Sequence, residues 1–121
     1  MLIGFEDITK PLSKEEIDVH VPQICATLRL AIGKDMAISN KRLCEMHGLK
    51  DARVRAMINH IRHNALIGGL IASRHGYYIS TDAAEVRNYL RSLNQRCSAI
   101  SATRNSFLMY LNSLESKGAS V

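Results

Sequence analysis

The sequence predicts a mainly α-helical fold that carries one small β-hairpin and ends in a long helix. Three observations predict it. Apolar residues recur at steps of three and four along much of the chain, the period of a helix with one buried face. Two short β-prone runs, Ile71-Ala72-Ser73 and Tyr77-Tyr78-Ile79-Ser80, flank Arg74-His75-Gly76, which has the composition of a turn. After Asp82 an apolar 4-3-4-3 spacing continues to Glu115 with no glycine or proline.

The elements follow in order. Residues 1–12 form an N-terminal extension of ambiguous structure, in which Pro11 breaks any regular element. Ser13-Lys14-Glu15-Glu16 is a capping box, and Ile17, Val21, Ile24, Leu28 and Ala31 then mark a first helix reaching Gly33. Pro22 inside it means either a kink or a helix that begins near Val21. Met36-Ala37-Ile38 suits a minimal strand. Ser39 or Asn40 can cap a second helix, Lys41 to His47, with Leu43, Cys44 and Met46 as its apolar residues. Gly48 suits the left-handed turn that ends it, and Leu49 plugs that turn. A third helix from about Asp51 to Ala65 carries Val54, Met57, Ile58, Ile61 and Ala65 along one face. The hairpin follows. Alternation places Tyr77 and Tyr78 on opposite faces, one in the core and one exposed. This gives a domain over residues 13–80, a long helix over 81–116 opened by a second capping box at Asp82–Glu85, and a frayed tail over 117–121.

Composition narrows the function. At 121 residues the chain fits one domain, and its 46% hydrophobic and 22% charged content is that of an ordinary globular protein. No apolar run approaches the roughly 20 residues of a membrane span, and the first residues lack the basic and long apolar regions of a signal peptide. The expectation is a cytoplasmic protein with no membrane contact. Cys25, Cys44 and Cys97 are odd in number and widely spaced, so they read as small buried apolar residues rather than a disulfide framework. Between Lys41 and His75 lie seven Lys or Arg against two acidic residues, a local charge of +5, while the rest of the chain holds nine of each sign. A neutral body with one basic segment suggests a surface for a polyanion.

Helix, short strand, helix, glycine turn, helix and two-stranded hairpin is the order of a winged helix. Residues 13–80, most clearly Asn40–Arg62 and Ile71–Ile79, resemble the winged helix-turn-helix DNA-binding proteins, including small phage and bacterial replication or regulatory proteins. The resemblance implies binding of double-stranded DNA by a recognition helix and a wing, in a transcriptional regulator or a replication accessory protein. Here the third helix would be the reading head. With Val54, Ile58 and Ile61 inward, Ala52, Ala56, Asn59 and His63 form the opposite face, flanked by Arg55 and Arg62 on one side and Arg53 and His60 on the other. Small alanines admit the backbone to a major groove, Asn59 can pair with adenine, and the arginines reach guanine or phosphate. No Asp or Glu occurs between Asp51 and Asp82, so the face lacks the partners of a salt-bridged surface. Lys50 just before the third helix, Arg74 and His75 at the wing tip, and Ser39, Asn40, Lys41 and Arg42 at the start of the second helix complete the candidate DNA-binding residues.

Other chemistries find less support. Cys44-x-x-His47 and His60-x-x-His63 resemble a finger-like zinc string, but Cys44 lies on an apolar face and His63 on the far side of its helix, so no metal and no cofactor are expected. No phosphate-binding loop, nucleophile elbow or paired carboxylate points to an enzyme. A winged helix used for protein–protein contact would favour an apolar or acidic third-helix face; RNA binding is not separated from DNA binding by charge alone. In the last helix Val86, Leu90, Leu93, Cys97, Ile100, Phe107, Leu111 and Leu114 form a coiled-coil seam with Arg104 at one core position, where it fixes register. The favoured reading is a homodimer joined through this seam; the other is a helix folded back on the first.

Overall fold

A computed structural model describes residues 10–119, and its contacts divide the chain into two units, one up to Ala83 and one from Ala84 onward. The architecture is mainly helical, with a small antiparallel two-stranded hairpin and a long C-terminal helix.

The first unit opens with the expected capping box. Glu16 N–H donates to Ser13 Oγ at 3.1 Å, and Ser13 N–H donates back to Glu16 Oε1 at 2.9 Å. The chain then runs through a π-helical stretch, Glu16–His20, directly into α1 (Val21–Leu28). Pro22 explains the wide turn. It has no N–H for the carbonyl four residues back and its ring crowds that carbonyl, so the preceding turn opens and Val21 N–H donates to Glu16 O instead. The helix continues through the proline without breaking. It also stops earlier than the apolar spacing suggests, at Leu28 rather than Gly33. The chain extends there because Ile79 takes both of its backbone bonds from it: Ile79 N–H donates to Ala31 O at 2.7 Å, and Gly33 N–H donates to Ile79 O at 2.9 Å.

A 3-10 turn at Lys34–Met36 takes up the first residue of the strand expected over Met36–Ile38, and within that stretch only Ile38 pairs in β fashion. α2 spans Asn40–His47, capped by Ser39, whose hydroxyl accepts from Arg42 N–H at 3.0 Å. Gly48 ends it in the left-handed conformation (φ 64°). α3 spans Asp51–His63, then β1 (Leu70–Ser73) pairs with β2 (Gly76–Ile79) in the register Leu70–Ile79, Ile71–Tyr78, Ala72–Tyr77 and Ser73–Gly76. On its other edge β2 meets Ile38, with Ile38 N–H to Tyr77 O at 2.9 Å and Tyr77 N–H to Ile38 O at 2.8 Å. That approach explains Gly76, at which an added Cβ would lie 2.5 Å from the Ile38 carbonyl carbon and oxygen.

The core gathers Val21, Ile24, Cys25 and Leu28 of α1, Leu43 of α2, Val54, Met57, Ile58 and Ile61 of α3, and Ile67, Leu70 and Tyr77. Leu12, Ile38, Cys44 and Leu49 pack against it. Several expectations are corrected. Ile17 and Met46 are exposed although they fall on the apolar periods of their helices. Ala65 lies beyond the end of α3 with φ 51°, exposed where the chain turns. Tyr77 and Tyr78 are both buried, because both faces of β2 are covered. Of the cysteines only Cys25 is buried, which pushes its thiol pKa up; Cys44 is half-buried and Cys97 exposed.

The second unit is α4 (Ala83–Ala119), 37 residues or about 55 Å of helix at about 1.5 Å per residue. It begins one residue after Asp82 and runs past Glu115, so Lys117 and Gly118 continue the helix rather than fray; residues 120 and 121, like residues 1–9, lie outside the described part. Among the described residues no helix is long and apolar enough to cross a membrane.

Candidate nucleic-acid interface

The basic window falls on α2, α3 and the hairpin, and α3 determines which of its side chains are available. Its inward face is the one the periodicity predicts, but its outward face is turned. Arg53 does not look outward. Its Nε donates to Glu16 Oε2 at 2.8 Å and its Nη2 to Glu16 Oε1 at 2.7 Å, a two-point ion pair in which each side chain is 15% exposed. Its Nη atoms also donate to the carbonyls of Lys10 (3.2 Å) and Pro11 (3.3 Å). The guanidinium holds the Glu16 carboxyl far below its ordinary value of 4.5, at about 2. Ala56, one turn further along the same flank, is 7% exposed. It admits close packing, not a groove. Arg53 and Ala56 therefore leave the set of candidate contacts, and the available face is turned by roughly 60°, at about 100° per residue, toward Arg55, Asn59 and Arg62.

That face borders the hairpin. One concavity of about 490 Å³ is lined by Ser39, Asn40, Lys41, Asp51, Arg55, Ala72, Ser73, Arg74, Gly76 and Tyr77. A second, of about 250 Å³, is lined by Arg55, Ile58, Asn59, Arg62, Ala72 and Tyr77. Arg55, Ala72 and Tyr77 belong to both, so the two form one furrow between α3 and the hairpin, closed at one end by the start of α2. Three elements that are distant in sequence thus bring Lys41, Arg55, Asn59, Arg62 and Arg74 to one place. Lys41 and Arg74 are exposed, and Asn59 and Arg62 half-buried. Tyr77 and Ala72 give the furrow an apolar floor.

The remaining candidates divide. Arg42, Lys50 and His63 are exposed and Ala52 and His60 half-buried, but none lines either concavity. His60 keeps company with Asn64, 3.3 Å from its Nδ1. His75 stands at the hairpin tip, where Arg74 Nε lies 3.4 Å from its Nε2. The two-residue tip is tied by Ser73, whose hydroxyl donates to Gly76 O at 2.9 Å and accepts from His75 N–H at 3.2 Å. Ser39 is spent on capping α2. Asn40 is a structural residue rather than an outward donor: it is buried, and its amide donates to Asp51 Oδ1 at 2.6 Å while its oxygen accepts from Tyr77 OH at 3.1 Å. Asp51 completes the set by accepting from Arg55 Nε at 2.8 Å. This ion pair holds the Asp51 carboxyl below its ordinary range and raises the Arg55 pKa further.

Asp51, Ser73 and Tyr77 are furrow residues outside the sequence-derived set. Asp51 had a local signal, since an acid four residues before Arg55 on a helix meets it; Tyr77 and Ser73 had none beyond their place in the hairpin. The zinc-like string does not converge. Cys44 Sγ accepts from Asn40 Nδ2 at 3.7 Å and His47 Nε2 lies 3.0 Å from Thr27 Oγ1. Among the described residues no three His, Cys, Asp or Glu side chains gather as a metal ion would require.

In the second unit the seam residues lie open along α4. Val86, Leu90, Cys97, Ile100, Arg104, Phe107, Leu111 and Leu114 are exposed, Ile100 and Phe107 each by 69%, and Leu93 is half-buried. Leu108, Met109 and Tyr110 widen the apolar surface. No protein-family model, curated protein or solved structure matches this chain, and the meaning of the furrow rests on its own geometry.

Proposed function

We propose that residues 13–80 form a winged helix-turn-helix that binds double-stranded DNA as a non-enzymatic cytoplasmic protein, and that α4 joins two copies. In this reading α3 lies in the major groove with Arg55, Asn59 and Arg62 toward the bases, and the hairpin is the wing whose Arg74 meets the backbone. The observation that carries it is the furrow itself. Cations from α2, α3 and the hairpin tip converge there around an amide side chain and a small apolar floor, on a part of the chain with a local charge of +5.

The ion pairs change the expected arithmetic. Arg53 is offset by Glu16 and Arg55 by Asp51. Lys41, Arg42, Lys50 and Arg74 are exposed cations of the window, which suggests about four phosphate contacts per domain and a slope of log affinity against log salt of about −3.6. Fluorescence anisotropy with a labelled duplex tests this. Binding that weakens by roughly 150-fold between 50 and 200 mM salt supports the reading, and no binding at 50 mM overturns it. Running single-stranded and double-stranded RNA in parallel assigns the polymer.

A second copy is the partner for α4. A helix this long cannot leave eight or more large apolar side chains in water at no cost, and buried area of this kind stabilises by about 25 cal/mol per Å². The 4-3-4-3 spacing is what a supercoiled partner of the same kind accepts, and Arg104 at one core position penalises registers that bury it. A twofold pair would present two reading heads to two half-sites.

A further inference from the structure

The ion pair at the head of α3 is part of a longer chain of hydrogen bonds. Tyr77 OH, on β2, donates to Asn40 Oδ1; Asn40 Nδ2, at the start of α2, donates to Asp51 Oδ1; and Asp51 Oδ2 accepts from Arg55 Nε. The distances are 3.1, 2.6 and 2.8 Å. Tyr77 and Asn40 are buried, so the inner links are fixed by packing, and Asn40 has a further hold on the Asp51 carbonyl at 3.4 Å. The outer end reaches solvent, with the Arg55 side chain 49% and the Asp51 side chain 62% exposed. Among the described residues no buried side-chain nitrogen or oxygen lacks a partner. The series thus runs from the hairpin through two helices and ends on one guanidinium.

We propose that Arg55 selects a guanine in the bound DNA, and that Asp51, Asn40 and Tyr77 are positioning residues that hold it for that contact. The proposal rests on the DNA-binding reading above and specifies what its central arginine does there. With Nε committed to Asp51, the two Nη groups form the part of the fork left to contact a ligand, and they match the O6 and N7 acceptors on the major-groove edge of guanine. Phosphate is the poorer ligand. Asp51 offsets the charge that would attract an anion, and its carboxylate, 2.8 Å from Arg55, repels one. An uncharged base edge meets no such repulsion, and it gains from an arginine whose side chain is already ordered. Arg55 is also the fifth residue of α3, in the early part of the helix where base contacts concentrate.

The test begins with selection of a preferred duplex from a random pool, using the full chain. Each guanine of the selected site is then replaced by 7-deazaguanine, which removes N7 and leaves pairing intact. At one position the wild-type protein should lose roughly 5- to 150-fold in affinity, the range of one two-point contact to a base. Arg55→Ala should lose discrimination at that position and keep its salt slope. Asp51→Ala and Tyr77→Phe should lose part of it, and Asp51→Ala should also bind random DNA more tightly, since an anion has gone. A merely structural role for Asp51 would instead weaken binding to all sequences alike and leave discrimination at that position unchanged. The proposal is overturned if no 7-deazaguanine matters. It is equally overturned if Arg55→Ala weakens all sequences alike and flattens the salt slope by about one, the signature of a phosphate contact. Absence of any binding at low salt would instead reject the DNA-binding reading itself.

Discussion

Replacing Glu16 with Gln keeps the shape of the side chain and removes its charge, and the structure sets the size of the effect. The carboxyl titrates at about 2 in the folded chain against 4.5 ordinarily, chiefly because Arg53 donates two hydrogen bonds to it. A depressed carboxylate pKa stabilises the fold at pH values above the unfolded value and loses that contribution as pH falls through the folded one. A difference of about 2.5 units corresponds to about 3 kcal/mol at pH 7 and about 1 kcal/mol at pH 3. Both side chains are 15% exposed, so solvent screening discounts this only modestly. Urea unfolding followed by circular dichroism should therefore show Glu16→Gln less stable by about 2–3 kcal/mol at pH 7, with the gap to wild type shrinking by more than half at pH 3. Equal stability of the two proteins at pH 7, or a gap that does not narrow with acid, would refute the role given to this pair. The same reasoning makes Arg53→Ala a folding variant: it should unfold earlier yet leave the salt slope of DNA binding unchanged.

Gly76→Ala would place a methyl group 2.5 Å from the Ile38 carbonyl at φ 120°. It should cost about 2 kcal/mol or more, read as a lower thermal midpoint, and an unchanged midpoint would mean that the β2–Ile38 approach is looser than described. Leu28→Ala removes a fully buried core side chain of α1 and should destabilise by about 2–5 kcal/mol in urea. Arg104→Leu replaces the polar residue in the proposed seam, so the proposed dimer should dissociate at lower concentration in sedimentation; weaker association would contradict the seam assignment.

What could be read in advance was local. The Ser13–Glu16 box, the Ser39 cap and the left-handed Gly48 are signals confined to a few residues, and each stands as expected. The buried face of α3 was likewise legible from Val54, Met57, Ile58 and Ile61. Its two flanks were not, because periodicity treats them alike and only the docking of residues 10–16 distinguishes them. Glu16 serves both its own helix cap and an arginine 37 positions away, and nothing in its neighbourhood in sequence reveals the second role. Ala56 shows the same ambiguity, since a small residue suits a groove and a tight packing contact equally. The hairpin tyrosines mark another limit. Alternation says that Tyr77 and Tyr78 face opposite ways, but not that both faces are covered. Arg55 was legible as a cation, while the hydrogen-bonded series that holds it, Tyr77 to Asn40 to Asp51, depends on three elements meeting in space.

The most direct test of the cationic furrow compares the salt dependence of duplex binding for the wild-type chain, Lys41→Ala/Arg74→Ala, and a control, Lys14→Ala/Lys34→Ala, whose cations lie outside the window. The account predicts that the first pair lowers affinity and flattens the slope by about two, while the control matches wild type. Equal slopes for all three proteins would contradict it.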